Sequence, residues 1–442
     1  ITSTLYTERL VNMPIQQMFL GSGAAPDKYW YLLFGNSSYD LDYRDLRLDS
    51  SDNIYAVGYA KGISSSSNFD GVETKYDKDG TLVWEKASSR NSYNNYWYSC
   101  NLDSSTNLYM YGFGNYKAAF AKKSGGNQTV SYASTYNSSQ SQVFASAQNG
   151  NTMYVVGQNT TLEEAWIFSH NSSYGIYDSR KFERSGNERM YMKGAAVDSS
   201  NNVIAVGKGE DFPHPGGGGV DTNMALIIKF NSGCTEQWSR TIGGSGNCEF
   251  VGVGTDSSDN IYCFGVDGTG GQKCLMVKYN SSGTIQWQRT LGSPCTGGTQ
   301  SSITDSSGNS YVCGKQANQH AWIAKINSSG GTEWCRTWES SGGSDEQELH
   351  GIEFDSKGNL IIVGHHRTTK KIGLVMKLPN DGSLTGTHGA FTYAAVSPSN
   401  STTSIGNVTN VGLSFSSISI SFSSLNLAGD STGWSRSLID ID

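Results

Sequence analysis

The heptapeptide DSSDNIY stands at residues 49–55 and again, unchanged, at 256–262. Such identity across 207 positions marks an internal repeat, and a repeat of fixed period dictates architecture before any single segment does. The Asp that opens the phrase recurs as Asp49, Asp103, Asp198, Asp256, Asp305 and Asp355. The words around it are DSSDNIYAVG, DSSTNLYMYG, DSSNNVIAVG, DSSDNIYCFG, DSSGNSYVCG and DSKGNLIIVG. A degenerate seventh copy, QNGNTMYVVG from Gln148, keeps Tyr154 and the closing Gly157. The spacings of 54, 45, 50, 58, 49 and 50 residues divide most of the chain into seven units.

Each unit has the same internal order. A strand-like segment precedes the Asp (RDLRL, KGAAV, VGVGT, HGIEF), and the Asp phrase leads into a second. Next comes an alternating apolar segment ending in Lys, such as GVETKY, ALIIKF, CLMVKY, AWIAKI or GLVMKL. A turn (DKDG or NSSG) leads to a segment carrying Trp: TLVWEKA, TEQWSRT, TIQWQRT, TEWCRTW. Period-two alternation bounded by Asn, Asp, Gly and Ser reads as strand–turn–strand. The pattern therefore predicts an all-β chain, a seven-bladed β-propeller of four-stranded antiparallel blades. The Asp phrase becomes the hairpin between the innermost strand and the second. There Asp and Asn bond nearby amides and the corner needs φ > 0, as Gly308 and Gly358 supply. The phrase builds and carries no chemistry.

The chain's opening predicts how the ring closes. Trp30, in KYWYLLFG, precedes Asp49 by 19 residues, as Trp84 precedes Asp103, while Trp238 and Trp287 precede their Asp by 18. The last unit has no Trp segment of its own, so residues 28–34 are expected to be its outer strand. Closure of this kind removes exposed sheet edges. Residues 1–27 then form an N-terminal extension and linker for attachment or oligomerisation, 28–387 the propeller, and 388–442 a C-terminal β-rich extension. The latter, with Ser at nearly every second position of VGLSFSSISISFSSLNL, is expected either to pack on the propeller as a strand pair or to pair with another subunit. The first residue, Ile1, reads as a processed, trimmed or incomplete start.

Composition narrows function. Charged residues are 16% of the chain and the formal net charge is −7, which argues against nucleic acid as a partner. No apolar run reaches the roughly 18–20 residues of a membrane-spanning helix. The eight cysteines show no CxxC pairing and are expected to be mostly buried free thiols, with Cys234 and Cys248 the pair to inspect for a disulfide.

Candidate chemistry is thin. Arg240, Arg289 and Arg336 each follow the strand Trp by two residues, on three different blades, and so cannot converge on one ligand. DKDGTLVW at 77–84 loosely resembles an Asp-box, itself a structural turn; Asp77 and Asp79 could hold a calcium ion, although such loops need six or more oxygen ligands and one DxD supplies few of them. His365–His366 is expected in a solvated loop, and Asp345, Glu346 and Glu348 in a solubilising turn. The longest insertion, GEDFPHPGGGGVDTN at 209–223, is the leading recognition loop, with Asp211, Phe212, His214 and Asp221 as its candidate contacts. The Tyr-rich NSYNNYWYS at 91–99 could stack on sugar rings. No catalytic, cofactor or metal residues are assigned.

DSSGNSYVCG and W-x-R-T resemble the bacterial seven-bladed propeller repeat family, over about residues 28–385. MFLGSGAAPDKYWYLLFG, running straight into the repeats, is similar in arrangement to propeller-bearing virion proteins of tailed phages of marine cyanobacteria. That resemblance implies a non-enzymatic tail, fibre or decoration protein, assembled in the host cytoplasm. It further implies a homo-oligomer attached to other virion subunits through its terminal extensions, with a host-surface glycan or protein as a further partner. The alternatives are a secreted or surface-attached bacterial propeller that binds carbohydrate or protein, and a propeller glycosidase or lyase.

Overall fold

In the computed structural model each repeat unit folds as one four-stranded antiparallel sheet, and seven such sheets form the ring. Residues 28–440 are described, except 36–38, 64–65, 90–93, 125–129, 137–139, 160–163, 174, 184–188, 211–222, 245, 269–270, 341–344, 404, 410–412, 418–421, 425–427 and 431–434. Among the described residues every regular element is a strand. Blade 1 spans residues 40–89, blade 2 95–136, blade 3 141–183 and blade 4 189–243. Blade 5 spans 248–296, blade 6 299–340, and blade 7 joins 346–378 to the strand Trp30–Gly35.

Ring closure follows the expected register. The N-terminal strand pairs with Lys371–Leu378, placing Trp30 opposite Lys377. Trp84 lies opposite Lys75, Trp238 opposite Lys229, Trp287 opposite Lys278 and Trp334 opposite Lys325. Trp30 therefore occupies the outer-strand position that blade 7 lacks. It is buried with Leu32, Phe34, Leu41, Tyr43, Ile361 and Val375, at the seam between blades 7 and 1.

The Asp phrase does two jobs. Within its own blade, Asp49 Oδ1 accepts from the amides of Ser51 and Asn53, and the Asn53 side chain donates back to the same carboxylate. Asp103, Asp198, Asp256, Asp305 and Asp355 accept from amides at the same two offsets. The corner residue sits at positive φ as Asp52, Thr106, Asn201, Asp259, Gly308 or Gly358. Between blades, Asp259 accepts from the amide and hydroxyl of Ser199 on blade 4, and Asp52 accepts the same pair from Ser356 on blade 7. The closing seam is thus fastened like an ordinary one, which is why two copies share DSSD.

The W-x-R pair is an inter-blade clamp. Trp238, Trp287 and Trp334 donate through Nε1 to the carbonyls of Ser281, Ser328 and Asn380, in the third turn of the following blade. Arg240 and Arg336 lie over their own Trp rings and donate to Gly283 and Gly382 in those turns. Turn glycines are needed there: a Cβ at Gly382 would come within 2.6 Å of the Trp334 ring, at φ +68°.

Buried polar groups in the seams make stability depend on pH. His170, fully buried, donates from Nδ1 to the Asn171 carbonyl while Nε2 accepts from the Tyr111 hydroxyl at 2.9 Å. Burial pushes its pKa down to about 4. Between that value and the ordinary 6.5 the unfolded chain binds the proton and the folded chain does not, so stability falls as pH falls through this window. Lowering pH from 7 to 4 should cost about 3 kcal/mol through His170 alone. Denaturant titrations of the parent and of His170→Phe across that range should show a shallower acid loss in the variant.

The residues after the last repeat open with a short hairpin on blade 6, Gly386–His388 against Phe391–Val396, and among the described residues they form no separate sheet. They run backwards around the rim and add an antiparallel strand to every blade, with Gly386–His388 a second added strand on blade 6. Phe391–Val396 pairs with blade 6, Asn400–Thr402 with blade 5, Gly406–Thr409 with blade 4 and Ser414–Ser417 with blade 3. Phe422–Ser424 joins blade 2, Ala428–Asp430 blade 1, and Ser435–Asp440 the N-terminal strand of blade 7. An outer strand offers unpaired N–H and C=O groups, and this belt pairs them in all seven blades. The polar alternation of the segment suits a strand with one face towards solvent.

Candidate functional site

The first strands of the seven blades surround the axis, and all seven carry a β-bulge at the same level. The bulge is written into the phrase. Its closing glycine (Gly58, Gly112, Gly157, Gly207, Gly265, Gly314 or Gly364) lies where the bulged backbone crosses, and a Cβ there would overlap a carbonyl oxygen of the first strand. A bulge re-aims the extra side chain. Here the extra residues are Arg44, Tyr98, Phe144 and Lys193 on blades 1–4, then Val251, Gln300 and His350 on blades 5–7. All seven line a central cavity of about 460 Å³.

This ring is chemically uneven. Tyr98 and Phe144 stack at 5.0 Å, Tyr96 lies parallel to Tyr98 at 5.8 Å, and the Lys193 ammonium sits 4.4 Å above Phe144. Tyr59 meets Tyr96 edge-on at 4.9 Å under the Arg44 guanidinium. Blades 1–4 thus present an aromatic arc with a cation at each end, whereas blades 5 and 6 contribute Glu249, Gln300 and Ser301.

Blades 7 and 1 carry a buried charge hub beside it. Asp42, wholly buried, accepts at Oδ2 from Arg44 (3.1 Å), Tyr59 (3.0 Å) and Lys371 (3.0 Å). Its Oδ1 faces His365 Nδ1 at 3.0 Å and His350 Nε2 at 3.2 Å. Burial alone would raise the Asp42 pKa, but Arg44, His365 and His350 hold it well below the usual carboxylate range. Asp42, His350 and His365 together have the donor spacing of a metal site. The protonation pattern is that of a hydrogen-bond hub instead. Arg44 Nη1 lies 3.4 Å from His350 Nδ1 and can only donate, which puts the His350 proton on Nε2, towards Asp42. Two cations already neutralise the carboxylate.

Several sequence expectations change here. His365 and His366 are not in a solvated loop: both are buried in the strand Leu360–Arg367, which continues three residues past Gly364. His366 Nδ1 meets the Gln347 amide at 3.1 Å and its ring packs on Phe391 of the belt. Glu346 and Glu348 belong to the strand Glu346–Phe354 rather than a turn. Burial would raise the Glu346 pKa, but Lys315 and Arg367 hold it down at about 2. Asp77 accepts from the amides of Asp79 and Thr81 and so builds a turn like those of the other blades. Cys234 and Cys248 lie in different core clusters, and all eight cysteines are buried free thiols; Cys295 and Cys335 approach to 3.3 Å. Of the proposed recognition loop 209–223, Gly209 and Glu210 belong to the strand Val203–Glu210, and the candidate contacts Asp211, Phe212, His214 and Asp221 lie outside the described residues. Arg44, Lys193 and His350, missed in the sequence, share a detectable signal: each stands five residues before its Asp.

No protein-family model matches the chain, and no curated protein matches it. Among solved structures it is similar to the WD40 β-propeller domain of Doa1, with 12% identity over 78% of this chain and 96% of that one, at a TM-score of 0.48. Sqt1 from Chaetomium thermophilum (10% identity, 78% and 99% coverage, TM-score 0.45) and the Dos1 propeller (8%, 75% and 77%, 0.43) are also similar. The likeness is one of fold alone. Among the described residues no helix is long and apolar enough to cross a membrane.

Proposed function

We propose that the chain is a non-enzymatic structural protein of a phage particle, a tail, fibre or surface-decoration component that presents a rigid disc for assembly and host-surface binding. The observation that carries this reading is the locking of the ring by two segments that flank the repeats, Trp30–Gly35 and the circumferential strands from Phe391 to Asp440. The N-terminal strand sits between the third strand of blade 7 and the last strand of the belt, and no blade keeps its fourth strand as an open edge. Asp turns, Trp–Arg clamps and bulge glycines, the repeated features, all serve the scaffold. A part that must survive outside a cell without disulfides gains from such redundancy, since opening any blade requires breaking the belt as well. The C-terminal strands bind their own rim, so attachment to neighbouring subunits falls to residues 1–27.

Sedimentation of the full chain and of residues 28–442 tests this. The full chain should assemble into a homo-oligomer and the truncated disc should remain monomeric. A full-length monomer at micromolar concentration would count against the particle role.

A further inference from the structure

We propose that the central cavity binds an acidic saccharide, whose carboxylate is received by Lys193 and whose hydroxyls are received by Glu249, Gln300 and Ser301. The inference rests on which charges of the lining are already satisfied. Arg44 is held by Asp42 and Tyr59, and Asp45 accepts from Arg47, Ser99 and the Leu46 and Cys100 amides. Lys193 and Glu249 differ. Among the described residues neither has an ion pair within 4.0 Å, although both line the cavity. Lys193 instead lies over the Phe144 ring.

Balanced by the Phe144 ring and the longer-range attraction of Glu249 rather than by a close ion pair, the Lys193 ammonium in this concave, partly buried site favours an anion. Glu249 beside it discriminates among anions. A compact oxyanion such as sulfate would meet Lys193 but would also face a like charge with no proton to offer. A sugar acid places its single carboxylate at Lys193 and turns hydroxyl donors towards Glu249, which can only accept. Gln300 can both donate and accept. On the other side, Tyr98 stacks on Phe144 and Lys193 lies over its ring, so the aromatic arc closes that side of the cavity with an apolar wall. A volume of about 460 Å³ accommodates one or two sugar residues. The proposal is independent of the particle assignment.

Calorimetric titration of the full chain with D-glucuronate, D-glucose and sulfate tests it. Glucuronate should bind at least tenfold more tightly than glucose or sulfate. Lys193→Gln should reduce glucuronate affinity at least tenfold, to the level of glucose, while the variant still unfolds cooperatively, since it loses the cation–π contact with Phe144 but no ion pair. Glu249→Gln should narrow the gap between glucuronate and sulfate. Absence of glucuronate binding, equal binding of glucose or sulfate, or full affinity in Lys193→Gln would each overturn the proposal.

Discussion

Replacing Gly265 by valine should prevent blade 5 from forming and leave the chain insoluble or unfolded. A Cβ at this position overlaps the Glu249 carbonyl oxygen and crowds the Phe250 backbone, where the bulged first strand crosses the second. Neither atom is the end of a flexible side chain, so relief requires moving the strand that lines the axis. The cost should exceed about 4 kcal/mol, in the range where single substitutions become exceptional. Gly150→Ala is the companion measurement. It has open space around its Cβ and only a left-handed φ of +56°, and should cost about 1–2 kcal/mol. Should Gly265→Val melt within a few degrees of the parent, the bulge account of the repeated glycine is wrong.

Deletion of residues 1–35 should have a still larger effect. Trp30, Tyr31, Leu32 and Phe34 are each at most 1% exposed, and truncating one such side chain to Ala typically costs about 2–5 kcal/mol. Their joint loss is comparable with the whole stability of an ordinary domain, about 5–15 kcal/mol. Deletion also bares the edge of Lys371–Leu378 and strips Ser435–Asp440 of its partner. Circular dichroism and size-exclusion chromatography should therefore show aggregation or loss of cooperative unfolding. Trp30→Ala alone should cost about 3–5 kcal/mol. A truncated chain that melts like the parent would remove Trp30 from its role in closure.

The difference between what was legible in the sequence and what was not has a physical cause. Blade number, strand order and closure could be read because they are periodic: Trp30 stands before Asp49 as Trp84 stands before Asp103, and both pair with the Lys of the neighbouring strand, Lys377 and Lys75. The cavity is not legible in the repeat because its lining breaks the period. Five residues before the Asp, six blades carry Arg44, Tyr98, Lys193, Val251, Gln300 and His350. A position that differs in every copy, inside units that otherwise agree, is where a symmetric ring can hold an asymmetric ligand. His365 and Asp42 were hidden for another reason. They lie 323 residues apart and meet only because the ring closes.

The circumferential belt has a consequence for how such rings can evolve. Its pairing segments begin at Phe391, Asn400, Gly406, Ser414, Phe422, Ala428 and Ser435, six to nine residues apart, one station per sheet. Duplicating or losing a repeat, an ordinary route by which arrays change size, would leave one perimeter position bare or one station surplus. The tail thus acts as a ruler that fixes the family of descendants at seven, and it tolerates changes of loop length far better than changes of copy number.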